Sequence, residues 1–348
     1  MRIRWIAATA LLLPLAAASG RAQLAPSPGA APVSHAPAAP EEDRSVATFK
    51  LQVNLVDVFF TVKDKNGNLV PHLNRNDCTI LEDKQPQPYK SFVAENNLPL
   101  TLGILLDTSG SQSRVLPLEQ DAGSHFLDRV LKPKDEAFLL SFDVNVDLLQ
   151  DFTNNSRQLA RAMSKAEINT AGGNGAAGIP GAGGGTVPVY GTPKGTLLYD
   201  AIYLSANEKL NQESGRKAMI ILTDGDDQGS RTRISEAVAA AQKSNALIYV
   251  ILIADTGFYG GFGYNGYSAA KRLADETGGR LINVGNNGKK LEEAFLQIED
   301  ELRTQYAATY TPSNTKLDGS FRHLSVECRG DGLKVQTRKG YFAPTPEK

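Results

Sequence analysis

Asp107, Ser109 and Ser111 stand in the run Asp107-Thr108-Ser109-Gly110-Ser111, directly after the apolar stretch at residues 100–106. One carboxylate and two hydroxyls on a turn leaving a buried strand, with small residues between them, can converge on a single point. Oxygen donors without sulfur or imidazole suit a hard cation (Mg2+, Mn2+ or Ca2+) better than zinc. Taken alone, the run is also the chemistry of a capped turn ahead of a helix. Two later segments add to it. Gly195-Thr196-Leu197-Leu198-Tyr199-Asp200 opens an apolar-periodic helix with the Thr196 hydroxyl at its start, and the β-rich run 217–223 delivers Asp224 in Thr223-Asp224-Gly225.

Three separate strand or helix ends thus offer Asp107, Ser109, Ser111, Thr196 and Asp224. In all five positions and in their order, the set resembles the von Willebrand factor type A family and its metal-ion-dependent adhesion site, over roughly residues 98–308. The resemblance implies that Ser109, Ser111 and Thr196 bind the ion directly while Asp107 and Asp224 act largely through water. It further implies an open coordination position that an Asp or Glu of a partner fills. Mg2+ fits this best because it tolerates several water ligands, with Mn2+ or Ca2+ as alternatives. Asp226 and Asp227 are adjacent acids of a solvated turn and stay outside the set.

The elements that must position these side chains follow from the hydropathy pattern. Between residues 98 and 305 strands alternate with helices. Strands are predicted at 100–106, 137–142, 146–149, 218–223, 248–253 and 280–284. Helices are predicted at 116–130, 156–167, 196–210, 233–244, 269–276 and 289–305. Near-continuous apolar strands are those of a parallel sheet covered on both faces. Such sheets bind ligands at the carboxyl ends of their strands, where Asp107 and Asp224 lie. The flanks, residues 46–97 and 306–348, read instead as short alternating strands: 48–62, 77–82, 89–93, 306–310, 322–328, 333–338 and 341–343. Neither flank alone has enough strands to bury a sheet. The predicted architecture is α/β: a doubly wound, mostly parallel sheet, von Willebrand A- or Rossmann-like, inserted between the strands of a small antiparallel β-sandwich.

Arg2 and Arg4 ahead of the apolar stretch 6–18, followed by Gly20 and Ala22 in a small-x-small pattern, read as a signal peptide over residues 1–22. The apolar stretch is short for a membrane span; an uncleaved anchor is the alternative. Residues 23–45, rich in Ala and Pro, read as a disordered linker. An exported protein is expected, whether secreted, periplasmic or at the cell surface, with no transmembrane segment after cleavage. Export permits a disulfide between the two cysteines, Cys78 and Cys328, one on each flank; two buried thiols are the other reading.

Thirty-seven basic against thirty-eight acidic residues give no electrostatic ground for nucleic acid or an anionic membrane. Pro193-Lys194-Gly195-Thr196 has the wrong order for a phosphate-binding loop, which argues against a nucleotide. The sequence has no H-E-x-x-H run and Ser109 is not in G-x-S-x-G, so no enzyme is predicted. Arg329-Gly330-Asp331 reads as turn chemistry, with Asp331-Gly332 joining two strands as a hairpin. Two insertions have open readings. The Gly-rich segment 170–194 is either a mobile loop or a partner-contacting lid. Segment 257–267 carries Phe258, Tyr259, Phe262, Tyr264 and Tyr267 between glycines, either as a partner-contact surface or as cover for the loop's own underside. The expected function is an exported, adhesion-type module binding a protein or matrix ligand through Mg2+. The alternative is a structural or assembly component of the cell envelope in which the metal only stabilises the fold.

Overall fold

The computed structural model describes residues 55–94, 98–169, 195–254 and 266–345. The signal peptide, the linker, the Gly-rich insertion, and Phe258, Tyr259, Phe262 and Tyr264 of the aromatic segment lie outside the described residues.

Alternating side chains on the N-terminal flank form β1 (Val56–Lys63), β2 (Cys78–Glu82), β3 (Gln85–Gln87) and β4 (Tyr89–Ala94). β3 was not foreseen: it is short and polar, and Asp83 and Lys84 reach it through a tight reversal at positive φ. The chain then enters β5 (Leu100–Asp107), whose eight residues are all buried. Next come α1 (Leu116–Val130), β6 (Glu136–Phe142), β7 (Val146–Thr153), α2 (Ser156–Met163) and α3 (Leu198–Leu204). They are followed by β8 (Arg216–Thr223), α4 (Ile234–Lys243), β9 (Ala246–Leu252), α5 (Gly266–Thr277), β10 (Leu281–Asn283) and α6 (Gly288–Arg303). β11 (Tyr306–Tyr310), β12 (Phe321–Cys328), β13 (Lys334–Thr337) and β14 (Gly340–Phe342) complete the chain.

The central sheet has the order β10-β9-β8-β5-β6-β7. Its first five strands are parallel and β7 runs antiparallel to β6. α1, α2 and α6 cover one face and α3, α4 and α5 the other. From β5 the chain winds outward through β6 and β7, then returns to β5's other side as β8 and winds outward again. The winding therefore reverses between β5 and β8, the crevice where such sheets take ligands.

β4 and β11 pair antiparallel, with Tyr306 opposite Ala94, so the entry and exit of the central segment are neighbours. Two four-stranded sheets, β13-β1-β11-β4 and β14-β12-β2-β3, interleave strands from both flanks. They enclose one core that includes Val58, Phe60, Ile80, Tyr306, Tyr310 and Tyr341. Within it the buried Glu82 accepts hydrogen bonds from the hydroxyls of Tyr310 (2.6 Å) and Tyr341 (2.8 Å) and pairs with Arg322 at 3.2 Å. That set satisfies a charge which unpaired would be costly to bury.

The sandwich attaches at the amino ends of the central strands. Arg216, at the start of β8, donates to the carbonyls of Leu98 and Leu302, clamping entry to exit. Lys63 reaches Glu301 of α6 at 2.7 Å, and the Arg338 guanidinium bonds Asn245 ahead of β9 and the Asp57 carbonyl.

Three local expectations change. The helix predicted from residue 196 begins at Leu198 and passes into a π-turn at Ser205–Lys209 and a 3-10 turn at Leu210–Gln212. α2 ends at Met163, four residues early. Asp331-Gly332 is a turn, with Gly332 at φ 75°, but no hairpin: β12 and β13 belong to different sheets, so it is a corner between them.

Cys78 and Cys328 lie opposite each other on β2 and β12 and are bonded across a sequence separation of 250 residues. A cross-link closing so long a loop constrains the unfolded chain strongly. Replacing both cysteines by alanine is expected to lower unfolding free energy by up to about 5 kcal/mol in chemical denaturation, with cation binding retained.

Candidate metal centre

Asp107 is the last residue of β5 and Thr223 the last of the adjacent β8. The Thr223 hydroxyl donates to Asp107 Oδ2 at 2.6 Å, and the Ser109 amide donates to Asp107 Oδ1 at 3.0 Å. Asp107 is fully buried and Asp224 nearly so. Past Asp107 the chain makes a short 3-10 turn, Gly110–Gln112, which brings Ser109 Oγ to 3.0 Å from Ser111 Oγ. Ser109 is buried and Ser111 half-buried.

Asp224 Oδ1 accepts from the Asp226 amide at 3.0 Å, which shapes the turn after β8. Gly225 is required there: it has φ 81°, and a Cβ would sit 2.6 Å from the Gly266 carbonyl at the start of α5. Thr196 is fixed to this turn by a reciprocal pair, its amide to the Gln228 carbonyl at 3.1 Å and the Gln228 amide to its carbonyl at 3.0 Å. It therefore lies in a loop bridge two residues ahead of α3, and not in the first turn of the helix, where the sequence had put it.

Asp143, not foreseen as a site residue, links the remaining loops. It follows β6 and is buried. Its carboxylate accepts from the Thr108 hydroxyl at 2.9 Å and from Asn169 at 3.0 Å, and its carbonyl accepts from the Leu197 amide at 2.8 Å. The loops after β5, β6 and β8 and the segment before α3 thus form one closed circuit of hydrogen bonds: Asp107 to Thr223, the Asp224 turn to Thr196, Leu197 to Asp143, Asp143 to Thr108. The signal for Asp143 was present, since an acid directly after an apolar parallel strand is the pattern that singled out Asp107 and Asp224.

The electrostatics favour a cation. The Asp107 carboxyl is pushed up to about 7, by burial first and by the charge of Asp224 second, against opposing hydrogen bonds from Ser109 and Thr223. Two buried carboxylates repel each other, and a divalent ion relieves this. Among the described residues no three His, Cys, Asp or Glu side chains converge as a metal-binding group. Ser109 and Ser111 bring two hydroxyls together beside these acids, and hydroxyl oxygens of that kind would suit Mg2+. Of the aromatic segment, Tyr267 is described; it is exposed on the first turn of α5, the helix whose start meets Gly225. The three described histidines, His72, His125 and His323, are exposed on other surfaces.

No protein-family model and no curated protein matches the chain. Solved structures similar to it include the conserved hypothetical protein BatB from Bacteroides thetaiotaomicron, at 17% identity, 59% of this chain, 99% of that one and a TM-score of 0.42. Another is proximal thread matrix protein 1 from the mussel byssus, in a structure with a zinc-occupied MIDAS motif, at 14% identity, 64% of this chain, 50% of that one and a TM-score of 0.46. A third is the PilB minor pilin from Streptococcus sanguinis, at 13% identity, 63% of this chain, 64% of that one and a TM-score of 0.42. The chain spans half the length of the mussel protein and under two thirds of the pilin.

A carboxyl held above its unfolded value keeps a proton that the unfolded chain releases, so ionisation of Asp107 destabilises the metal-free fold as pH rises from 3.8 towards about 7. The thermal midpoint of the chain in EDTA is expected to fall between about pH 5 and about pH 7.5, more steeply than in Asp107→Asn. Saturating Mg2+ should flatten the trend by competing with the proton; equal slopes for parent and Asp107→Asn would contradict it. Removing the Asp143 carboxylate in Asp143→Ala should weaken Mg2+ binding by about tenfold, reflecting hydrogen bonds to a charged group worth roughly 1.5–3 kcal/mol each in positioning the loops.

Proposed function

We propose that the chain is an exported, metal-dependent protein-binding module of the von Willebrand A type. A Mg2+ held by Ser109, Ser111 and Thr196, with Asp107 and Asp224 acting through water, would engage an acidic side chain of a protein or matrix partner. The observation that carries this reading is the Ser109–Ser111 hydroxyl pair, 3.0 Å apart over the buried Asp107 at the crevice between β5 and β8.

The chemistry supports binding over turnover. Ligation mostly by neutral hydroxyls leaves the ion short of negative charge, and a carboxylate from outside then completes its coordination. A bound metal can activate water, but hydroxyl-rich ligation is better suited to holding a carboxylate, and the described histidines are on other surfaces. The site also faces away from the sandwich. β5 carries eight residues from Leu100, two past the entry clamp at Leu98, to Asp107, about 23 Å at the rise of a parallel strand. The sandwich would then serve as a base that presents the metal rim outward, with Tyr267 beside that rim as one element of a contact surface.

Calorimetric titration of Mg2+ and Mn2+ tests the reading, with the full chain beside Asp107→Ala/Ser109→Ala shown to be folded by circular dichroism. Binding is expected in the parent and not in the variant. Equal binding in both, or in neither, would reduce the five residues to turn chemistry. Retention of the parent on an immobilised Asp- and Glu-rich peptide is expected to need Mg2+ and to be lost in EDTA. Retention that persists in EDTA would favour the envelope component in which the metal only stabilises the fold.

A further inference from the structure

Glu119 contradicts the helix that carries it. α1 turns the stripe Leu116, Glu119, Gly123, Phe126 and Val130 into the core, a spacing that suits an apolar residue at every position. Glu119 is fully buried, and among the described residues neither of its carboxylate oxygens has a hydrogen-bond partner. Burying a carboxylate without a partner is among the costliest substitutions available to a core. A leucine there would satisfy the packing of α1 without that cost.

Its surroundings indicate what the acid is for. Glu119 lies one helical turn past Val115, on the helix that follows the Ser109–Ser111 turn. The Gln112 side chain is buried as well; its nitrogen reaches the Ile253 carbonyl at 3.4 Å and its oxygen has no partner. A cavity of about 10 Å3 touches Glu119, Val115, Ile253, Asn286 and Asn287, at the lower edge of what holds one water. Burial, and then the charges of Asp107 and Asp224, push the Glu119 carboxyl well above the usual carboxylate range. The two charges it senses belong to the candidate metal centre, and among the described residues no counter-charge acts on it. The three acids do not converge as a metal-binding group, so Glu119 would act on an ion without touching it.

We propose that Glu119 is an affinity-setting carboxylate of the cation site, a buried acid whose charged form a divalent ion on the Ser109–Ser111–Thr196 rim would favour. The proposal rests on the metal reading above and adds to it a residue outside the five-residue pattern. Asp107 and Asp224 reach the ion through water, and Glu119 adds a third buried acid to their surroundings. Burying that acid costs the metal-free chain stability, and a nearby divalent ion offsets the cost by favouring the ionised form. The same acid therefore has opposite effects on the two states, which a packing residue does not produce.

The test is Mg2+ calorimetry on the full chain for the parent, Glu119→Gln and Glu119→Asp, together with their thermal midpoints in EDTA. Glu119→Gln is expected to bind Mg2+ at least about tenfold more weakly and to melt at a higher temperature without metal. Glu119→Asp, which keeps the charge, should bind within a few-fold of the parent. Parent-like affinity in a folded Glu119→Gln overturns the proposal, as does weakened binding with a lowered metal-free midpoint, which marks lost packing. If Glu119→Gln does not fold, Glu119→Met, matched to the apolar stripe, is judged by the same two readings. Absence of binding in the parent would overturn the metal reading itself, and this proposal with it.

Discussion

The buried carboxylate of Asp107 is the constraint around which the central domain is arranged. It ends the strand from which the sheet winds in both directions, so its charge falls where the chain must separate into loops. Thr223 on the neighbouring strand and the Ser109 amide each supply a hydrogen bond, yet burial and Asp224 still hold its carboxyl high. A fold maximised for stability alone would not set two acids side by side at 0% and 2% exposure. A cation seated beside them would offset that cost.

From that point the rest of the architecture takes on a purpose. Three loops and the segment before α3 are joined in a closed hydrogen-bond circuit, so moving one hydroxyl donor requires moving the others. At the opposite end of the strands, Arg216 clamps the entry to the exit while Lys63 and Arg338 fasten the sandwich to α6 and to the start of β9. The disulfide between β2 and β12 locks the two flanks to each other. Rigidity at the base and a circuit of loops at the rim are what a site needs if its donors are to be held in place before a partner arrives.

Much of this was legible in the sequence because the signals were local and strong. The apolar runs at 100–106 and 218–223 became β5 and β8, and Asp107 and Asp224 stand at their carboxyl ends as hydropathy alone suggests. The α/β class with a doubly wound, mostly parallel sheet between sandwich strands is the one observed. What was less legible depended on partners distant in sequence. Thr196 looked like a helix start because a hydroxyl ahead of an apolar stripe usually is one; its actual bond is with Gln228, thirty-two positions on. Asp331-Gly332 had hairpin chemistry, but which sheet each flanking strand joins is decided by β1 and β2, at the other end of the chain. Glu119 was visible as an acid inside an apolar stripe, although only the fold shows which charges it faces.

The most direct measurement is diffraction from crystals of the chain soaked in Mn2+, with data collected at a wavelength where manganese scatters anomalously. The account predicts one anomalous peak in the crevice between β5 and β8, bounded by the Ser109 and Ser111 hydroxyls and facing Thr196. An empty crevice at saturating Mn2+, or a peak held by other residues, would contradict it.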